Sequence, residues 1–314
     1  MDVVVRRAES VAPRVKSFEL ADPAGTPLPA FTAGAHVDVT LPNGLVRSYS
    51  LLNDSRERHR YEIAVLREEA GGGGSAWVHE SLRPGDVLDI SAPQNRFEID
   101  EGGDHNILIA GGIGITPILS MAERFDELGI DFRLIYCTRS REEAAFCARI
   151  EVRFGKRATL HHDGGLPERS LDVAALLGIR EPGTHVYVCG PPGLIAAVRA
   201  AARDWPQGTV HFELFGAVRG DGAPLENRPF EVHLKRRNVT LHVPADRSIL
   251  DVLGEAGVRV RTVCRDGFCG TCTTRYVGGA VEHRDGVLDD DSRKEFIQVC
   301  VSRALPGDTL VLDL

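Results

Sequence analysis

Cys264-Arg265-Asp266-Gly267-Phe268-Cys269-Gly270-Thr271-Cys272 is the stretch on which the reading of this chain turns. Its cysteines stand at C-x4-C-x2-C spacing, and a fourth, Cys300, follows 28 positions later in Gln298-Val299-Cys300. Each iron of a 2Fe–2S cluster takes two thiolates, and three ligands on one loop plus one distant ligand supply all four. Glycines at 267 and 270 let the loop fold tightly with its amides turned toward sulfur, where hydrogen bonds tune a cluster's potential. The competing reading is a four-cysteine zinc site. Such sites usually pair their cysteines as two C-x-x-C knuckles, and this loop has one, so the spacing favours iron and sulfur.

Around that stretch lie 314 residues, enough for two or three domains, with 43% hydrophobic residues to build ordinary cores. No run approaches the roughly 20 apolar residues of a membrane span. The start, Met1-Asp2-Val3-Val4-Val5-Arg6-Arg7, is too short an apolar run for a signal peptide, so a cytoplasmic chain is expected. A net charge of −8 disfavours a nucleic-acid backbone as partner. The remaining cysteines, Cys137, Cys147 and Cys189, fit reduced thiols in a reducing compartment.

Residues 1 to about 100 read as β-rich. Val37, Val39 and Leu41 alternate with polar neighbours, Pro42-Asn43-Gly44 signals a turn, and further strands are expected at 47–51, 61–66 and 86–90. Short strands broken by Gly and Pro favour a small antiparallel barrel. From 104 to about 215 the pattern changes to apolar strands at 106–110, 132–136, 158–162, 185–189 and 209–215. These alternate with helices expected at 116–128, 142–153, 171–177 and 192–204, which makes a parallel sheet covered on both faces. Residues 217–228, rich in Gly, Asp, Pro and Asn, read as a linker. Beyond it, a hairpin is expected around Lys235–Asn238, and a helix from Ile249 to Ala256 capped by Ser248.

Two segments of the N-terminal region together suggest a cofactor site. Arg47-Ser48-Tyr49-Ser50-Leu51 and Gly71-Gly72-Gly73-Gly74-Ser75, the latter ahead of a helical stretch at 76–82, make sense together as a flavin site. Amides and the Ser75 hydroxyl at a helix start would cradle a phosphate, and Arg47 would add bidentate charge. Tyr49 offers a ring to the flavin, and Ser50 a hydroxyl to its reactive edge. Taken singly, the first segment is a strand with an arginine and the second a loop.

Gly111-Gly112-Ile113-Gly114-Ile115-Thr116-Pro117 lies between a strand and a helix, and Cys189-Gly190-Pro191-Pro192 lies at a later strand end. Ligands bind outside the carboxyl ends of parallel strands, where both motifs fall. Gly111, Gly112, Gly114 and Thr116 are therefore candidates for a dinucleotide, together with Cys189, Gly190 and Pro191. Cys189 reads equally well as a buried core thiol. Thr138 and Arg139 end the next strand near the expected ribose. No acid stands there to favour NADH, and Arg139 and Arg141 are able to meet a 2′-phosphate, so the residues leave NADH and NADPH open. His161-His162-Asp163 reads as structural because strand neighbours face opposite ways, and Asp289-Asp290-Asp291 as a solvated turn.

In this order, the R-x-Y-S barrel, the G-G-I-G-I-T-P and C-G-P-P lobe and the C-terminal cysteine loop resemble the phthalate dioxygenase reductase family, including vanillate demethylase reductase components, over the whole chain. The resemblance implies a multidomain protein. It would hold an antiparallel β-barrel flavin domain (1–102), an α/β parallel-sheet nucleotide domain (103–215), a linker (216–228) and a β-grasp plant-type ferredoxin domain (229–314). It further implies NADH as donor, FMN rather than FAD as flavin, a monomer, and a separate Rieske-type terminal oxygenase as partner, either a demethylase or a ring-hydroxylating dioxygenase. Carried onto this sequence, Arg47, Ser48, Tyr49, Ser50, Gly73, Gly74 and Ser75 fall on the flavin motif. Phe215 resembles the aromatic lying against the flavin, with Phe212 as its substitute. Cys264, Cys269, Cys272 and Cys300 fall on the cluster ligands. Residues 229–314 hold 13 acidic and 12 basic side chains, so docking is expected to rest on local patches around Asp266 and Phe268. Two rivals stand beside this reading: an FAD-containing reductase for a cytochrome P450 or di-iron hydroxylase, and a zinc-binding interaction protein with no enzymatic activity.

Overall fold

Burial with period two builds the N-terminal sheet, as in Val87–Ile90, where Leu88 and Ile90 face inward and Val87 and Asp89 outward. The computed structural model describes residues 1–42, 44–68, 73–215, 227–262, 265, 267, 270–288 and 291–314. They form two compact units, Met1–Glu213 and Leu214–Leu314.

In the first unit, six strands form one sheet: β1 (Asp2–Ala12), β2 (Val15–Ala21), β3 (His36–Thr40), β4 (Val46–Ser50), β5 (Tyr61–Leu66) and β6 (Val87–Ile90). Their order is β4-β3-β6-β1-β2-β5, with antiparallel pairing throughout. The sheet curls so that its ends meet where Leu52 N–H donates to the Glu62 carbonyl at 2.9 Å, around a core that includes Phe18, Leu20, Val37 and Tyr61. Helix α1 (Gly74–Ser81) follows β5. The sequence reading did not single out β1 and β2. In β1 only Val3 and Val5 are buried, so most of that strand shows no inward-outward alternation to read.

A second sheet, ordered β11-β10-β7-β8-β9, contains β7 (His105–Gly111), β8 (Phe132–Thr138), β9 (Ala158–His162), β10 (Thr184–Gly190) and β11 (Val210–Leu214). The pairs β10/β7, β7/β8 and β8/β9 are parallel. Its helices are α2 (Ile115–Leu128), α3 (Cys147–Phe154), α4 (Val173–Leu177) and α5 (Pro192–Ala201). Three bounds of these helices differ by two or more residues from those read in the sequence. α3 starts at Cys147 rather than Glu142 because Phe146 takes a left-handed φ of 63°. α4 starts at Val173 because Asp172 caps it, accepting from Ala175 N–H at 2.9 Å. α5 ends at Ala201, three residues early. The two sheets are tied by Ser120 Oγ donating to the Asn53 carbonyl at 3.1 Å and by Arg149 paired with Glu62 at 3.0 Å.

In the second unit, β12 (Phe230–Leu234) and β13 (Val239–Val243) form the expected hairpin, turned through Asn238 at φ 53°. Helix α6 (Ile249–Glu255) starts in a capping box in which Ser248 and Asp251 each serve the other's amide, and it buries Ile249, Leu250 and Leu253. After it come β14 (Thr273–Gly278), β15 (Val281–Glu282), β16 (Phe296–Gln298), β17 (Arg303–Ala304) and β18 (Thr309–Leu312). The main sheet runs β13-β12-β18-β14-β16, with β12 and β18 parallel. Among the described residues, no helix is long and apolar enough to cross a membrane.

Candidate functional site

Arg47 and the start of α1 converge, as the paired motifs led us to expect. Gly73 caps the helix in the left-handed region at φ 81°. A Cβ on Gly74 would lie 3.1 Å from Arg47 Nε and 3.3 Å from Leu41 Cδ1, so any larger residue there would push on the Arg47 and Leu41 side chains. The first turn carries no acidic residue, leaving its free N–H groups and Arg47 as a positive cradle suited to a phosphate. Ser75 Oγ accepts from Glu68 N–H at 3.0 Å, which fixes the hydroxyl at the helix start. Gly71 and Gly72 lie outside the described residues.

Along β4, Arg47 and Tyr49 share one face, and Ser48 and Ser50 the other. Ser48 donates to Asp38 Oδ1 at 2.6 Å, across the strand pair, and is thus engaged within the barrel. Tyr49 packs on the barrel core, and burial pushes its hydroxyl up to about 12 although the nearby Arg47 charge opposes this. Ser50 Oγ is buried with no hydrogen-bond partner. An orphaned buried hydroxyl three residues along the chain from Arg47 fits a bound flavin, whose polar ring edge would meet it.

The nucleotide motifs interlock at the ends of β7 and β10. A Cβ on Gly114 would lie 2.2 Å from the Cys189 carbonyl oxygen, one on Gly111 2.5 Å from Pro191 Cδ, and one on Gly190 2.8 Å from Gly111 Cα. These glycines are required by chain packing. Gly112, at φ 54°, instead faces open space where a pyrophosphate has room. Thr116 is buried in the first turn of α2 and donates to the Ile113 carbonyl at 3.1 Å, so its hydroxyl holds the turn. Thr138 Oγ1 and His162 Nδ1 are 2.7 Å apart, whereas His161 reaches the Arg169 carbonyl, so the two histidines do separate work. Arg139 is exposed, and Arg141 is held by both Glu151 oxygens at 2.7 Å.

Glu213, absent from the sequence-based site, belongs beside Cys189. Burial raises its carboxyl from 4.5 to about 8 against the lowering charge of Arg96, and its Oε2 lacks a hydrogen-bond partner. Cys189 is fully buried, and burial followed by the Glu213 charge lifts its thiol well above the ordinary value. The signal was a single acid within the apolar run His211-Phe212-Glu213-Leu214-Phe215. Phe215 directly follows β11 and is half-buried.

In the second unit, Thr273 of β14 and Gln298 of β16 face each other in register. The adjoining Cys272 and Cys300 thereby meet, both buried, with sulfurs 3.1 Å apart. That exceeds the roughly 2.05 Å of a disulfide, and paired buried sulfurs suit a soft metal centre. Gly267 and Gly270 adopt left-handed φ of 77° and 69°, and Arg265 one of 60°. Cys264, Cys269, Asp266 and Phe268 lie outside the described residues, as do Asp289, Asp290 and residues 216–226 of the linker.

Comparisons with known proteins point to a flavin-binding domain and a 2Fe–2S domain. Residues 2–99 match the family described as an oxidoreductase FAD-binding domain, and residues 232–305 that of the 2Fe-2S iron-sulfur cluster binding domain. The chain is 46% identical over 308 residues to phthalate dioxygenase reductase of Burkholderia cepacia, covering 98% of this chain and 95% of the relative. It is 41% identical over 324 residues to vanillate O-demethylase oxidoreductase of Pseudomonas putida, covering both chains in full. A solved structure of phthalate dioxygenase reductase aligns with a TM-score of 0.82 and 45% identity, over 100% of this chain and 98% of the other.

Proposed function

The chain belongs to the phthalate dioxygenase reductase family of oxygenase reductase components, and from that premise we propose that it carries electrons from NADH through FMN and a 2Fe–2S cluster to a separate Rieske-type oxygenase. The observation that carries the flavin part is the junction of Arg47 with the α1 start, supported by the orphaned Ser50 hydroxyl on the same strand. A compact cradle at a helix start suits a terminal phosphate, which favours FMN over FAD. When bound, the flavin supplies the exchange between a two-electron hydride and the single electrons that the cluster takes.

The protein's own residues align and insulate. Arg47 and the α1 amides hold the phosphate, Tyr49 offers its ring to the flavin, and Ser50 meets the flavin's polar edge. Gly111, Gly112, Gly114, Thr116, Thr138, Arg139, Cys189, Gly190 and Pro191 form the nucleotide side, with Glu213 behind Cys189. Cys264, Cys269, Cys272 and Cys300 hold the cluster. The working modules are 1–102, 103–215 and 229–314, joined by 216–228. We place the protein in the cytoplasm as a monomer. Binding that aligns donor and acceptor is the main contribution such a protein makes to the rate.

Heat-released flavin, identified chromatographically, tests the cofactor, and reduction of cytochrome c with NADH against NADPH tests the donor. FAD in the released fraction would overturn the cradle argument. A cluster that stays oxidised when the holoprotein meets NADH anaerobically would overturn the relay. The cytochrome P450 partner is kept as a second reading. The structure of an intact type IV self-sufficient cytochrome P450 monooxygenase contains a region matching all of this chain at 35% identity with a TM-score of 0.78, covering 41% of that protein.

A further inference from the structure

Gln298 is wholly buried at the end of β16, among apolar neighbours such as Ile297 and Val299. A carboxamide in such a place is costly unless paired. Its two ends are both paired. Cys272 Sγ lies 3.0 Å from Gln298 Oε1, and Gln298 Nε2 donates to Thr273 Oγ1 at 2.5 Å. The Thr273 hydroxyl in turn donates to the Gly270 carbonyl at 2.6 Å, on the cysteine loop. With Cys272 as a thiol, its proton, one Nε2 proton and the Thr273 hydroxyl proton each have an acceptor.

A metal-bound cysteine is a thiolate and has no proton to give. Oε1 would then face a negative sulfur. Turning the carboxamide by half a revolution puts Nε2 on the sulfur and Oε1 toward the Thr273 hydroxyl. Oxygen and nitrogen are nearly equal in size, so the turn needs no extra space. The Thr273 proton moves from the Gly270 carbonyl to Oε1, and that carbonyl keeps the Thr273 N–H at 3.3 Å.

We propose that Gln298, oriented by Thr273, is a positioning residue of the iron–sulfur centre that donates its side-chain N–H to the Cys272 sulfur. The inference rests on Cys272 being a cluster ligand. Reduction adds negative charge to the cluster and its sulfurs, so the bond is stronger in the reduced state and raises the reduction potential.

The test is a redox titration of the cluster, followed by electron paramagnetic resonance, in the intact holoprotein. Iron and sulfide content of the wild type reads the ligand assignment independently. In Gln298→Met the oxidised-to-reduced ratio at fixed poise should rise about tenfold, a fall of about 59 mV for a one-electron couple. Thr273→Val, which removes the orienting hydroxyl, should lower the potential in the same direction by less. A Gln298→Met protein with full iron and an unchanged potential overturns the proposal. Should that variant not retain its cluster, wild-type protein carrying 15N in glutamine side chains gives the answer. Gln94 and Gln207 belong to the other unit. Hyperfine coupling of the reduced cluster to a side-chain 15N is expected, and its absence overturns the proposal.

Discussion

Gly114 packs against Cys189 so tightly that a Cβ at 114 would sit 2.2 Å from the Cys189 carbonyl oxygen. The obstacle is backbone at the end of β10 and has no flexible end to move aside. Gly114→Ala should therefore destabilise the first unit by about 1–3 kcal/mol or more. Denaturant unfolding followed by flavin release would show the lower midpoint, with the cluster's visible absorption unchanged. An unshifted midpoint would mean that the β7 and β10 ends separate more readily than this packing allows.

That contact explains what was legible in the sequence and what was not. Gly111, Gly112, Gly114 and Gly190 were readable as a glycine-rich site, but nothing in a string of letters separates a glycine needed for packing from one left open for a ligand. Only Gly112 faces open space. The cysteine spacing carried the second unit, because ligand number and spacing are chemistry written directly in sequence. Strands with one buried face, such as β3 and β5, showed as apolar runs or alternation, whereas β1, largely exposed beyond Val5, did not. Glu213 and Gln298 were missed for one reason. Each is a polar residue in an apolar strand, and its meaning comes from a neighbour brought in by another strand.

Glu213 gives a pH-dependent expectation. Burial raises its carboxyl from 4.5 to about 8, against Arg96, so the folded protein prefers the protonated form. The associated stability is fully present below about 4.5 and is lost progressively as pH rises to about 8. In nucleotide-free protein, Glu213→Gln should remove that loss. Thermal midpoints measured from pH 5 to 8 should fall in the wild type relative to the variant. Parallel profiles would show that Glu213 is ionised throughout.

Ser50 separates stability from function. Its buried hydroxyl has no hydrogen-bond partner among the described residues, so Ser50→Ala should leave the flavin-free protein as stable as before or slightly more so. With flavin bound, loss of one neutral hydrogen bond, worth about 1 kcal/mol, should slow flavin bleaching by NADH about fivefold in anaerobic stopped flow. A variant that loses stability but reacts at the wild-type rate would assign the hydroxyl to the barrel alone.

We expect the choice between NADH and NADPH to depend on Arg141. Both of its terminal nitrogens are held by Glu151 at 2.7 Å, and this bidentate pair occupies the guanidinium that a 2′-phosphate would need. Arg139, although exposed, is then left as the nearby cation for that phosphate. The Arg141–Glu151 pair lies at the surface, where ion pairs are weak, so Glu151→Gln should release Arg141 without unfolding α3. The expected result is a rise of about two- to fivefold in kcat/KM for NADPH with that for NADH unchanged, a range set by the modest worth of exposed pairs. A preference unmoved by Glu151→Gln would place the ribose away from the β8 end and return the discrimination to another part of the nucleotide lobe.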